Sequence, residues 1–67
     1  MTKLRQLRAD YGYTLREVAE GTGLSVPAIS CYERGTKAPG MDAIVALAAY
    51  YCLTADQLIR YFLKREM

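Results

Sequence analysis

Between Thr14 and Gly35 the chain signals two helix starts and two helix stops so close together that only two short helices joined by a tight turn satisfy them. Thr14 is suited to accept a bond from a free backbone N–H at a helix start, and Glu17, three residues on, can bond back to the N–H of Thr14. Tyr13 and Val18 flank that cap as an apolar staple. After the turn Thr22-Gly23-Leu24, Ser25 caps a second helix, with Leu24 and Ile29 as its staple. Gly35 is placed to end that helix in a left-handed conformation.

Two helices this short and this close form a helix-turn-helix pattern, whose usual use is to lay the second helix in the DNA major groove. The ordered set Leu4-x-x-Leu7-Arg8, Gly12-Tyr13-Thr14, Val18-Ala19, Gly23-Leu24-Ser25, Ile29-Ser30, Glu33-Arg34-Gly35, Pro39, Leu47-Ala48 and Leu53 resembles the Xre/Cro family. These are the lambda-repressor-like DNA-binding domains, and the resemblance runs from about Leu4 to Leu58. It implies an all-α bundle that binds double-stranded DNA as a transcriptional regulator.

Composition bounds the reading. Sixty-seven residues are expected to make one domain, near the lower limit at which a hydrophobic core alone suffices. With Met1 present, the expectation is a DNA-binding unit without a ligand-sensing or catalytic domain beside it. The net charge of +2 does not by itself imply nucleic acid. Its distribution adds a mild bias: Lys3, Arg5, Arg8, Arg16, Arg34 and Lys37 stand against Asp10, Glu17, Glu20 and Glu33, and the remainder is neutral overall. Cys31 and Cys52 form no C-x-x-C pair and histidine is absent, so neither a zinc site nor another cofactor is expected. Two free thiols fit a cytoplasmic protein, and the resemblance implies a prokaryotic or phage-encoded one. The longest apolar run, Ala43 to Leu53, is shorter than the roughly 20 residues a membrane span needs. Neither membrane nor small-molecule ligand is expected as a partner.

Leu4, Leu7 and Tyr11 recur at helical spacing and predict a first helix from Thr2 to Tyr11, ended by Gly12. Helix 2 is predicted over Leu15 to Glu20 and helix 3 over Val26 to Arg34. Gly35-Thr36-Lys37-Ala38-Pro39-Gly40 reads as a loop. Helix 4 starts near Met41 and Asp42 and continues to about Tyr51. A capping box at Thr54 and Gln57 starts helix 5, predicted to reach Lys64 or Arg65. The predicted core is Leu4, Leu7, Leu15, Val18, Ala19, Leu24, Ile29, Tyr32, Ile44, Leu47, Ala48, Leu53 and Leu58.

The 3.6-residue period of helix 3 puts Ile29, Tyr32 and Glu33 inside, and Val26, Pro27, Ser30, Cys31 and Arg34 outside, with Ala28 at the border. The family's outer positions are often hydrogen-bonding side chains, yet Val26, Pro27 and Ala28 offer none. Val26 and Ala28 can touch thymine methyl groups, Ser30 can bond to a base or phosphate, and Arg34 can reach guanine or a phosphate. Specificity would then rest partly on DNA shape. The resemblance places a phosphate-holding glutamine where this chain has Leu15, and Arg16 beside it is the expected substitute. Ser25 is a cap first and a DNA contact second. Thr36 and Lys37 are expected backbone contacts, and free N–H groups at both helix starts remain for phosphates. Cys31 reads as a small filler on the same face. The resemblance also implies that Arg8 pairs with Glu33, tying helix 1 to the end of helix 3.

Without histidine or a phosphate-binding loop, no enzyme is expected. The contest lies between a dimeric repressor acting by promoter occupancy and an interaction module of the same fold that has lost base readout, antirepressor or antitoxin-like. Helices 4 and 5 carry more apolar residues than one inward face can bury. Tyr50, Leu58, Ile59, Tyr61, Phe62 and Leu63 are therefore expected to form a homodimer interface, with the last helix, about residues 55–65, as its core. A twofold dimer would match a near-palindromic operator.

Overall fold

Three of the helices begin on a hydroxyl side chain that accepts a backbone N–H, and this local chemistry sets their ends. The order is α1 (Leu4–Tyr11), α2 (Leu15–Thr22), α3 (Val26–Arg34), α4 (Met41–Tyr50) and α5 (Ala55–Ile59), in a computed structural model that describes residues 2–62. No strand occurs among the described residues. At α2 the capping box closes in both directions: Glu17 N–H donates to Thr14 Oγ1 at 3.0 Å and Thr14 N–H to Glu17 Oε1 at 2.8 Å. At α3, Ala28 N–H donates to Ser25 Oγ at 3.2 Å. The C-termini of α1, α2 and α3 each roll into a glycine of positive φ, at Gly12, Gly23 and Gly35.

Packing is α1 on α3, α2 on α3, α2 on α4 and α4 on α5. The core joins Leu4 and Leu7 of α1, Val18 and Ala19 of α2, Ile29 of α3, Leu47 and Ala48 of α4, and Leu58 of α5. Leu15, Leu24, Tyr32, Ile44 and Leu53 sit at its margin, half-buried rather than enclosed. Ala43 and Tyr51 are buried although the sequence pattern did not single them out. Tyr51 is the largest fully buried side chain, and burial, followed by the charge of Glu33, holds its hydroxyl well above the ordinary tyrosine range.

Three expected boundaries move. α2 runs on to Thr22, past the expected Glu20. The first helix begins at Leu4, because Thr2 is spent elsewhere: its N–H donates to Glu33 O at 2.9 Å, and its Oγ1 lies 3.0 Å from Glu33 O and 3.2 Å from Tyr32 O. These bonds satisfy carbonyls at the end of α3 that the helix leaves open. The last α-helix ends at Ile59, not near residue 65. Tyr61 N–H bonds Leu58 O at 2.8 Å and Phe62 N–H bonds Ile59 O at 3.0 Å, a tighter turn that swings both side chains back toward the core. Tyr61 O then accepts Lys3 N–H at 3.0 Å, and the Phe62 ring meets Tyr32 edge-on.

The expected dimer face changes accordingly. Leu58 is wholly enclosed within its own chain and has no surface to offer a partner. Tyr50 packs among Tyr13 and Tyr51, and Tyr61 and Phe62 are half-buried. Ile59 remains exposed, and Leu63 lies outside the described residues. The large apolar side chains open to solvent on α4 and α5 are Met41, Val45 and Ile59.

Candidate nucleic-acid interface

α3 is held from its inner side. Ile29 and Glu33 point inward and are almost fully enclosed, while Tyr32 is half-buried. Arg8 Nε donates to Glu33 Oε2 at 2.7 Å, its Nη2 to Glu33 Oε1 at 3.1 Å, and its Nη1 to Tyr13 O at 2.9 Å. The fork therefore binds α1, the end of α3 and the turn before α2 at a single point. The hydrogen bond to Glu33 raises the guanidinium's pKa further, outweighing the opposing effect of burial, so Arg8 keeps its charge. No buried side-chain polar atom among the described residues lacks a partner.

With the inner side locked, the outer side of α3 is left to solvent. Val26, Pro27 and Arg34 are exposed, and Ala28, Ser30 and Cys31 are partly so. Pro27 sits in the first turn, where N–H groups have no helical partner to lose. Arg34 lies back along its own helix: Nη1 bonds Ser30 Oγ at 3.1 Å and Nη2 approaches Cys31 Sγ at 3.7 Å. Ser30, Cys31 and Arg34 thus form one polar cluster. In the loop beyond, Thr36 Oγ1 donates to Cys31 O at 3.3 Å, and Lys37 is exposed. Arg16 is exposed in the first turn of α2, and Ser25 uses its hydroxyl as the α3 cap.

One feature escaped the sequence reading. Where α1, the start of α2 and α3 meet, a cleft of about 240 Å³ is lined by Arg5, Arg8, Leu15, Ser30, Glu33 and Arg34. Its signal was Arg5 standing one helical turn before Arg8, which places both on one face of α1. Among the described residues no cluster of side chains suits a metal ion, and no helix is long and apolar enough to cross a membrane.

Two capped helices joined by a glycine turn, the second anchored inside and open outside, define a helix-turn-helix protein. The chain belongs to the Helix-turn-helix domain family, which it matches over residues 2–60. It is 35% identical over 57 residues to the HTH-type transcriptional regulator DdrOP3 of Deinococcus deserti, covering 85% of this chain and 44% of that protein. It is 31% identical over 58 residues to the cryptic phage CTXphi transcriptional repressor RstR of Vibrio cholerae, covering 87% of this chain and 52% of that one. The uncharacterized HTH-type transcriptional regulator YobD of Bacillus subtilis is 33% identical over 57 residues, covering 85% and 51%. The chain spans about half the length of these curated relatives.

Proposed function

We propose that this chain binds double-stranded DNA sequence-specifically and regulates transcription, as a cytoplasmic repressor that occupies promoter DNA. The observation that carries the reading is the two-sidedness of α3. Its inner side is fixed by Ile29 and the Arg8–Glu33 pair, and its outer side presents Val26, Ser30 and Arg34. A rigidly held helix with an open face is what insertion into a major groove requires. Val26 and Ala28 meet thymine methyl groups, Arg34 and Ser30 supply hydrogen bonds, and Arg16, Thr36 and Lys37 hold the backbone. A relative named as a phage transcriptional repressor supports the direction of regulation.

The reading includes a twofold homodimer on a near-palindromic operator, with the two α3 helices in successive major grooves about 34 Å apart. The exposed side chains Val45 and Ile59, with Met41 beside Val45 on α4, are its proposed contact surface. A second reading, an interaction module of the same fold that has lost base readout, is favoured by the apolar first turn of α3, where Val26 and Pro27 are exposed. Binding to random duplex DNA as salt is lowered separates the two. A DNA binder associates with steep salt dependence, and Arg34→Ala with Lys37→Ala weakens it without unfolding the chain. If that double variant matches the wild type on every duplex, the assigned face is wrong. Sedimentation of Val45→Asp with Ile59→Asp should give a monomer; a wild type monomeric at high micromolar concentration, alone and on DNA, removes the dimer.

A further inference from the structure

We propose that the cleft between α1 and α3 seats a backbone phosphate of bound duplex DNA, gripped between Arg5 and Arg34. The proposal rests on the reading of the α2–α3 side as the DNA interface, and adds to it a residue from α1.

Charge accounting inside the cleft is the first argument. Three arginines and one carboxylate line it. Glu33 is fully committed, since both its oxygens accept from Arg8, and the remaining Nη1 bond of Arg8 goes to a backbone carbonyl. Among the described residues, Arg5 and Arg34 therefore face one cleft with no acid left to balance them. Among the described residues, Arg34 bonds only the side chains of Ser30 and Cys31, and Arg5 forms no ion pair. Two guanidinium groups brought to one cleft by different helices leave it with an excess of positive charge, which favours an anion there. Their planar forks match phosphate oxygens better than any other side chain does.

Position is the second argument. Ser30 and Arg34 belong to the outer side of α3 and Leu15 is the first residue of α2, so the cleft opens beside the surface assigned to the groove. A duplex lying along α3 carries one strand's backbone past the opening. Both arginines are exposed, so water screens them too well to hold a small free anion firmly. A phosphate delivered by the rest of the duplex contact does not face that limit. Arg5 then fixes the depth and tilt of α3 without reading sequence.

The test uses the full chain and a random-sequence duplex, titrated between about 50 and about 200 mM salt. Arg5→Ala, an exposed position, should leave the circular dichroism and thermal midpoint unchanged, weaken binding severalfold, and flatten the slope of log K against log salt by about 0.9. Lys3→Ala removes the same charge from the same end of the chain but lines a different cleft, and should keep the wild-type slope. Equal effects of Arg5→Ala and Lys3→Ala would reduce Arg5 to net charge and overturn the proposal. Wild-type binding by Arg5→Ala, while Arg34→Ala and Lys37→Ala are weakened, would overturn it and leave the interface standing. Wild-type binding by all three would overturn the interface itself.

Discussion

The α2–turn–α3 unit and α4 are built from opposite kinds of instruction. Both helices of the first begin on a side-chain cap and end on a left-handed glycine. α4 has neither device: Gly40 stands at its start without a side-chain bond, and its end turns through Cys52 at φ 59. Cys52 N–H still bonds Ala49 O, and Leu53 N–H bonds Ala48 O, so the stop motif forms with a residue that resists the conformation. Burial makes up the difference, since Ala43, Leu47, Ala48 and Tyr51 all disappear into the core. Local chemistry delimits the helix-turn-helix unit, and tertiary packing delimits α4 behind it. The two meet at a few side chains, and those are where the contrast can be broken.

The largest expected effect is at Glu33. Removing one member of a buried ion pair costs about 3–5 kcal/mol, because the other charge is stranded. A chain of this length has only roughly 3–10 kcal/mol in all, so Glu33→Ala should be largely unfolded in urea titrations. Arg8→Met combined with Glu33→Leu should recover most of the loss, because it removes both charges at similar volume. A loss below about 1 kcal/mol for Glu33→Ala alone would mean that the local caps hold α3 unaided.

Gly21 sharpens the contrast from the other side. A Cβ there would overlap the Tyr50 ring, which lies on α2 and whose hydroxyl reaches Glu17 O at 3.5 Å. Helix propensity alone predicts that Gly21→Ala stabilises by up to about 1 kcal/mol. Displacing the ring reverses the sign, with a net loss of about 1–3 kcal/mol in thermal or urea unfolding. In a Tyr50→Ala background the same substitution should be neutral or stabilising. A stabilised single variant would show that the ring does not bind α2 to α4.

The smallest effect is at Cys52. Glycine adopts its left-handed backbone freely, so Cys52→Gly should raise stability by about 1 kcal/mol or less, read as a small rise in thermal midpoint. A fall would mean that the side chain contributes packing that outweighs its strain.

Much of this molecule was legible before its structure. Thr14, Ser25 and Thr54 mark their helices because a cap needs only the residues beside it, and Gly12, Gly23 and Gly35 mark stops for the same reason. The inner and outer sides of α3 follow from period alone. The end of α5 was not legible. Arg60 to Phe62 carries no stop signal, and the chain turns there because Tyr61 and Phe62 gain contacts with Tyr32 and the core. Which apolar residues of α4 and α5 stay open to solvent was not legible for a related reason: in a helix apolar all round, period cannot say which side another helix will cover.

Sequence by itself determined the helix order, the bounds of α3 and the residues on its open side, because those depend on hydrogen bonds spanning three or four residues and on a fixed angular step. Tertiary structure alone decided that Thr2 closes the end of α3, that Tyr50 lies against Gly21, and that Arg5 and Arg34 share one cleft. Each of those joins residues distant along the chain, and only the packing of one helix on another brings them within reach.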